Sequence, residues 1–72
     1  MNKVYIKIDN NNNITDINSN IFIQDTSEYI LIDQGNGDKY AHAQNNYLPL
    51  PLQSEEGVYN YKYINDKIVL QQ

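Results

Sequence analysis

The chain has no cysteine, no tryptophan and no arginine, and it has a single histidine. Without cysteine there can be no disulfide framework, thiolate zinc site, iron–sulfur cluster or cysteine nucleophile. No run approaches the roughly 18–20 apolar residues that a membrane-spanning helix needs, so membrane insertion is not expected. The start, Met1 to Asp9, alternates polar with apolar residues, unlike the apolar centre of a secretory signal peptide. Nine acids against five lysines give a net charge of −4. An acidic chain without arginine is a poor nucleic-acid binder, because the phosphate contribution requires clustered cations.

What is present is carboxamide and aliphatic side chains. Twelve Asn and six Gln make up a quarter of the 72 residues. The excess of Asn, Ile, Lys and Tyr fits A/T-rich codons and a low-GC genome. Ile, Leu, Val and Phe total nineteen, with seven Tyr beside them, enough apolar content for a folded domain. Below about 70–80 residues, however, one core rarely supplies more than ~3–5 kcal/mol. With no disulfide available, a partner subunit is the natural additional source of stability. The length fits one small domain over residues 1–72, and Met1 fits a whole protein.

Val4, Ile6 and Ile8 alternate with Lys3, Tyr5 and Lys7, the period of a half-buried strand. Asn10 to Asn13 predict a turn, because Asn tolerates left-handed backbone. Ile14 to Asn18 then return as a hairpin arm, and the three-residue spacing of Ile14 and Ile17 implies a bulge or a strand end. Ile21-Phe22-Ile23 is a short apolar run, and Asp25-Thr26-Ser27 follows with turn chemistry. Tyr29 to Ile32 is apolar at every position and reads as a central strand. Gly35 and Gly37 predict positive-φ turn positions. Lys39 to Gln44 contain helix formers but are too few for a stable helix, and Asn45-Asn46 reads as another turn. Leu48-Pro49-Leu50-Pro51-Leu52 reads as an extended connector with its leucines on the core. Val58 to Ile64 is the clearest strand, Asn65-Asp66 a hairpin turn, and Lys67 to Leu70 the returning arm. The expected fold is mostly β: a small antiparallel meander or partly closed barrel of four to six short strands, with at most one helical turn near residues 38–44.

Chemistry is weakly signalled. Asp33, Asp38 and His42 form the one candidate metal cluster, but calcium loops need more oxygen ligands at fixed spacing. His42 with Asp33 or Asp38, and with Ser27 or Ser54, makes a triad on paper only, since no strand–nucleophile–helix elbow accompanies it. Glu55 and Glu56 are adjacent, which points paired carboxylates apart. No metal, no cofactor and no catalysis are therefore expected. Tyr59, Tyr61 and Tyr63 share one face of the last hairpin. There they either cover the core or an interface, or stand exposed to stack on sugar rings.

The segment Asp33-Gln34-Gly35-Asn36-Gly37-Asp38-Lys39-Tyr40-Ala41-His42-Ala43-Gln44-Asn45-Asn46-Tyr47-Leu48 resembles one that recurs in small phage and prophage proteins of low-GC Gram-positive bacteria. Those proteins are typically encoded among tail genes, and the segment also ends tail fibre or baseplate-associated proteins. The shared order is Gly-x-Gly-Asp-Lys-Tyr-x-His-Ala-Gln-x-Asn-Tyr, then a Pro-Leu element and Gly-x-Tyr-x-Tyr. Gly35 to Tyr47, Pro51-Leu52, Gly57, Tyr59 and Tyr61 follow it; Asn45 stands where the family often carries glycine.

The resemblance implies a virion or tail-like-particle component made in the bacterial cytoplasm, without known catalysis or cofactor. Its partner would be a larger tail fibre or baseplate protein, and a homo-oligomer such as a trimer is expected. Physically, Asp38 is expected to accept bonds from the following amides, and Tyr40 and Tyr47 to anchor the loop to the sheet. His42 and Gln44 are expected to tie it down by hydrogen bonds. Such a polar–aromatic loop would equally serve recognition. The alternative function is binding of cell-wall glycan through Tyr40, Tyr47, Tyr59, Tyr61 and Tyr63, since Tyr offers flat stacking area at little entropic cost.

Overall fold

The alternation at the start of the chain becomes strand β1 (Asn2–Ile8), with Val4 and Ile6 fully buried. These features come from a computed structural model, which describes residues 1–71. The Asn-rich turn forms around Asp9, whose carboxylate accepts the amides of Asn11 and Asn13, each at 2.9 Å. Asn12 takes the left-handed conformation, φ 65°, which Asn adopts more readily than most residues. Strand β2 (Ile14–Ser19) then pairs antiparallel with β1.

The register of this hairpin accounts for the irregular isoleucine spacing. Lys7 pairs with Asp16 and Ile8 with Ile14, so Thr15 is the extra residue of a bulge. A bulge breaks the strict two-residue period, and both Ile14 and Ile17 reach the core. Buried Ser19 ends the strand and accepts the Ile21 amide at 3.2 Å, capping a 3₁₀ turn at Asn20–Phe22. The apolar run here stays outside the core: Ile21 and Phe22 are each more than half exposed.

Strand β3 (Ile30–Gly35) also pairs antiparallel with β1, giving the sheet order β2-β1-β3. The apolar run at Tyr29 to Ile32 thus belongs to an edge strand, and β1 is the central one. A second bulge is responsible. Tyr5 pairs with Leu31 and Val4 with Asp33, leaving Ile32 as the inserted residue. Ile32 packs against the core, while Leu31 lies on the outer face beside Tyr5 and is 49 % exposed. The run is apolar because a bulge shifts its phase, and its outer face remains open.

Two helical turns follow where one at most was expected, α1 (Asp38–Ala41) and α2 (Ala43–Asn46). His42, at φ −120° and ψ 52°, breaks the helix between them. Asn45 and Asn46 belong to α2, so the predicted turn at those residues is replaced by helix, and Asn45 needs no left-handed backbone. The turns lie over the sheet, α1 against β1 and α2 against β2, with Ala43 fully buried.

The connector from Leu48 lays Leu48 and Leu52 against the core, but Leu50 points outward. Strand β4 (Tyr61–Ile64) starts three residues later than the Val58 start expected from composition. Val58 to Asn60 are diverted, because the chain doubles back at Gly57 (φ 83°) and Tyr59 bridges Gln53. Asn65 and Asp66 both take positive φ, 52° and 63°, as a two-residue turn of the primed kind requires. Strand β5 (Lys67–Leu70) then pairs with β4.

Among the described residues, five strands form two antiparallel sheets, a meander-like and mostly β arrangement without barrel closure. The sheets meet where Asn13 bridges Lys62 and the Tyr63 amide donates to the Asn12 carbonyl at 2.9 Å.

Candidate functional site

The loop between β3 and α1 is held by an aromatic cluster. Gly37, at φ 100° and ψ 176°, occupies backbone space essentially restricted to glycine. Gly35 does not take the expected positive φ. A Cβ there would lie 2.6 Å from the Tyr40 ring, so the missing side chain makes room for that ring. Tyr40 meets Tyr47 edge to face, with centroids 6.0 Å apart, and the Lys39 ammonium lies 5.7 Å from one ring and 5.0 Å from the other. This is cation–π distance.

The Tyr47 hydroxyl donates to Asp33 Oδ2 at 2.7 Å, which ties α2 to the edge strand. Burial, reinforced by the Asp33 carboxylate, pushes the Tyr47 hydroxyl above the usual tyrosine range. The donated hydrogen bond from Tyr47, with the Gln34 amide, holds Asp33 below the usual carboxylate range. Tyr40 and Tyr47 both pack, partly buried, against the core cluster.

The other loop residues act differently from expectation. The backbone carbonyl of Asp38, and not its carboxylate, accepts the His42 amide at 2.9 Å and the Asn46 side chain at 3.4 Å. Gly37 is the N-cap of α1 and provides no side-chain bond. His42 and Gln44 do not tie the loop down; both are exposed, and the His42 ring lies 5.8 Å from Phe22. The imidazole thus approaches the exposed 3₁₀ turn, and Asp33 is engaged by Tyr47. Among the described residues no three His, Cys, Asp or Glu side chains converge as a metal site.

The three tyrosines of the last hairpin separate. Tyr61 is buried, and its hydroxyl accepts the Leu50 amide at 3.1 Å. Tyr63 lies on the same face and is half-buried. Tyr59 stands outside β4, its carbonyl accepting the Gln71 side chain at 3.2 Å.

A largely apolar groove of about 530 Å³ runs between the hairpin and the first sheet, lined by Ile32, Tyr47, Leu48, Tyr63, Ile68 and Leu70, with Asp66 and Lys67 at its turn end. A smaller hollow of about 440 Å³ lies beside Pro49 and Pro51. Sequence reading missed the groove, whose lining comes from three distant segments.

It also missed a cluster on the outer face of the first sheet. There Tyr29 donates to Asp16 Oδ2 at 2.8 Å, Tyr5 meets the Tyr29 ring edge-on, and Lys7 lies 4.7 Å above that ring. The alternation that puts Val4 and Ile6 inward puts Tyr5 and Lys7 outward, so part of this cluster was available from the period of β1.

Among the described residues no helix is long and apolar enough to cross a membrane. Comparison of the chain with protein-family models, with curated proteins and with solved structures finds no match.

Proposed function

We propose that the chain is an interaction component: a small β module that docks on a larger protein of a phage tail or tail-like particle. The observation that carries this reading is an imbalance of apolar surface. Among the described residues six apolar side chains are buried, whereas nine large hydrophobic ones are exposed, among them Ile21, Phe22, Leu50, Val58 and Leu70. Isolated exposed hydrophobics are ordinary, but here they outnumber the buried set in a chain with no covalent staple. Covering them by a partner subunit would add the stability that so small a core lacks. The resemblance of Gly35 to Leu48 supplies the setting, with a tail fibre or baseplate protein as the partner and a homo-oligomer as one form of the assembly.

The test is co-expression with the products of the genes flanking its own, followed by affinity purification and light scattering. A stoichiometric complex with a tail protein, or a discrete oligomer of the chain alone, is expected. A stable monomer that retains none of those products would overturn the proposal. A saturable change in tyrosine fluorescence on titration with host wall polysaccharide would instead favour the glycan-binding alternative.

A further inference from the structure

Strand β5 is a free edge. Among the described residues, Lys67 to Leu70 form ladder bonds only with β4, from Ile64 with Lys67 to Tyr61 with Leu70. The other side of the strand presents its backbone donors and acceptors without a strand partner. The two faces of the hairpin differ in chemistry, although Asp66 and Lys67 at the turn also border the groove. On one, Ile68 and Leu70 open onto the apolar groove, and Leu70 is 47 % exposed. On the other, the register places Lys62, Ile64, Lys67 and Val69 together.

That second face is cationic in a chain whose net charge is −4. Among the described residues the one ion pair is Lys7 with Glu28, at 3.8 Å, so Lys62 and Lys67 have no ion-pair partner there. Two acids lie close by: Asp9, whose carboxyl responds to the charge of Lys62, and Asp66, which precedes Lys67 in the turn. Neither lies within ion-pair distance of these lysines.

Resting on the docking reading above, we propose that β5 is the docking edge for an extended segment of another protein whose side chains alternate between aliphatic and acidic. Backbone bonds to β5 would extend the ladder, a common mode of peptide capture. The two-residue period then sends alternate side chains to opposite faces. Aliphatic ones enter the groove beside Ile68 and Leu70, and carboxylates meet Lys62 and Lys67. Charge complementarity selects this occupant over a second copy of the chain. Antiparallel pairing of β5 with β5 about a two-fold axis would put Lys67 of both copies on one face of the joined ladder, where neither strand offers the other a carboxylate.

The experiment is an amide-resolved NMR titration of the full chain with a seven-residue peptide alternating valine and glutamate, and with its valine–lysine counterpart. The glutamate peptide is expected to shift amides of Lys67 to Leu70 and to bind at least about tenfold more tightly than the lysine peptide, with affinity falling as salt rises. Lys67→Glu, an exposed substitution whose fold the same spectra verify, is expected to weaken the glutamate peptide about tenfold. Equal affinity for the two peptides, binding by neither, or shifts confined to another surface would overturn the proposal. So would a tail-protein partner that co-purifies equally well with the Lys67→Glu chain, a result that leaves the docking reading standing. The converse, a peptide-binding edge in a chain that retains no partner and stays monomeric, would uphold the edge and defeat the docking reading.

Discussion

The three-stranded sheet and the β4–β5 hairpin are held in place by different means. Among the described residues, 1–46 contribute Val4, Ile6, Ile14, Ile17 and Ala43 to the buried core, and the remainder contributes Tyr61 alone. The sheet with its two helical turns therefore carries most of the cohesion, at about 1.5–3 kcal/mol for each fully buried large aliphatic side chain. The hairpin is attached by one buried ring, the half-buried Tyr63 and Ile68, and a few backbone bonds at Asn12 and Asn13. The first region holds most of the buried apolar side chains, while the second leaves a lysine-bearing face, an open edge and one wall of a groove available for contact.

The largest expected effect comes from striking the sheet. Ile6→Ala removes a fully buried side chain from its central strand and should cost about 4 kcal/mol. That approaches the whole stability of a domain this size, so circular dichroism should show the chain largely unfolded at 25 °C. A melt within a few degrees of the parent would refute the assignment of the core to this sheet. Tyr61→Ala comes next, at about 3 kcal/mol, and its loss should be local. Hydrogen exchange should accelerate in β4 and β5 while β1 and β2 stay protected. Equal loss of protection everywhere would mean that the two regions form one cooperative unit.

Gly35→Ala tests the packing of α1 on β3 within the first region. A Cβ 2.6 Å from the Tyr40 ring must displace it, at a cost of about 1–3 kcal/mol, read as a lower thermal midpoint and altered Tyr40 ring resonances. The smallest effect is expected from Tyr47→Phe, which keeps the ring and removes the bond to Asp33, about 1 kcal/mol.

Its pH dependence has a definite sign. The folded state raises the Tyr47 hydroxyl, so that contribution is complete below about pH 10 and is lost as pH rises further. Asp33 is lowered, so its contribution is present above about pH 3.9 and is lost as pH falls through the depressed value. Denaturant titrations should show the phenylalanine variant flatter at both ends of the pH range. An unchanged alkaline limb would remove Tyr47 from the account.

Local features of the chain were legible where local chemistry decides. The two-residue period of β1, the bulge implied by Ile14 and Ile17, and the Asn65-Asp66 turn all follow from neighbouring residues, and each is present. Reading failed where the deciding contact is distant. Ile32 gives β3 an apolar run through a bulge against β1, which resembles a central strand in sequence. Tyr59 leaves β4 because Gln53 claims it. Asn46 is helical where its composition suggests a turn, because α2 packs on β2. In the candidate site, Tyr40 and Tyr47 were identifiable as anchors, but Gly35 accommodates a ring where a turn was expected. The lysine face of the hairpin was implicit in the turn register, which places Lys62 opposite Val69 and Lys67 opposite Ile64.

The bond from the Leu50 amide to the Tyr61 hydroxyl has an experimental use. Proline carries no amide hydrogen, so Leu50 holds the one exchangeable backbone proton between Pro49 and Pro51. Its acceptor is the ring that fastens the hairpin. Deuterium uptake at this single amide therefore times the release of β4 and β5 from the sheet, a built-in clock for how often the open form occurs.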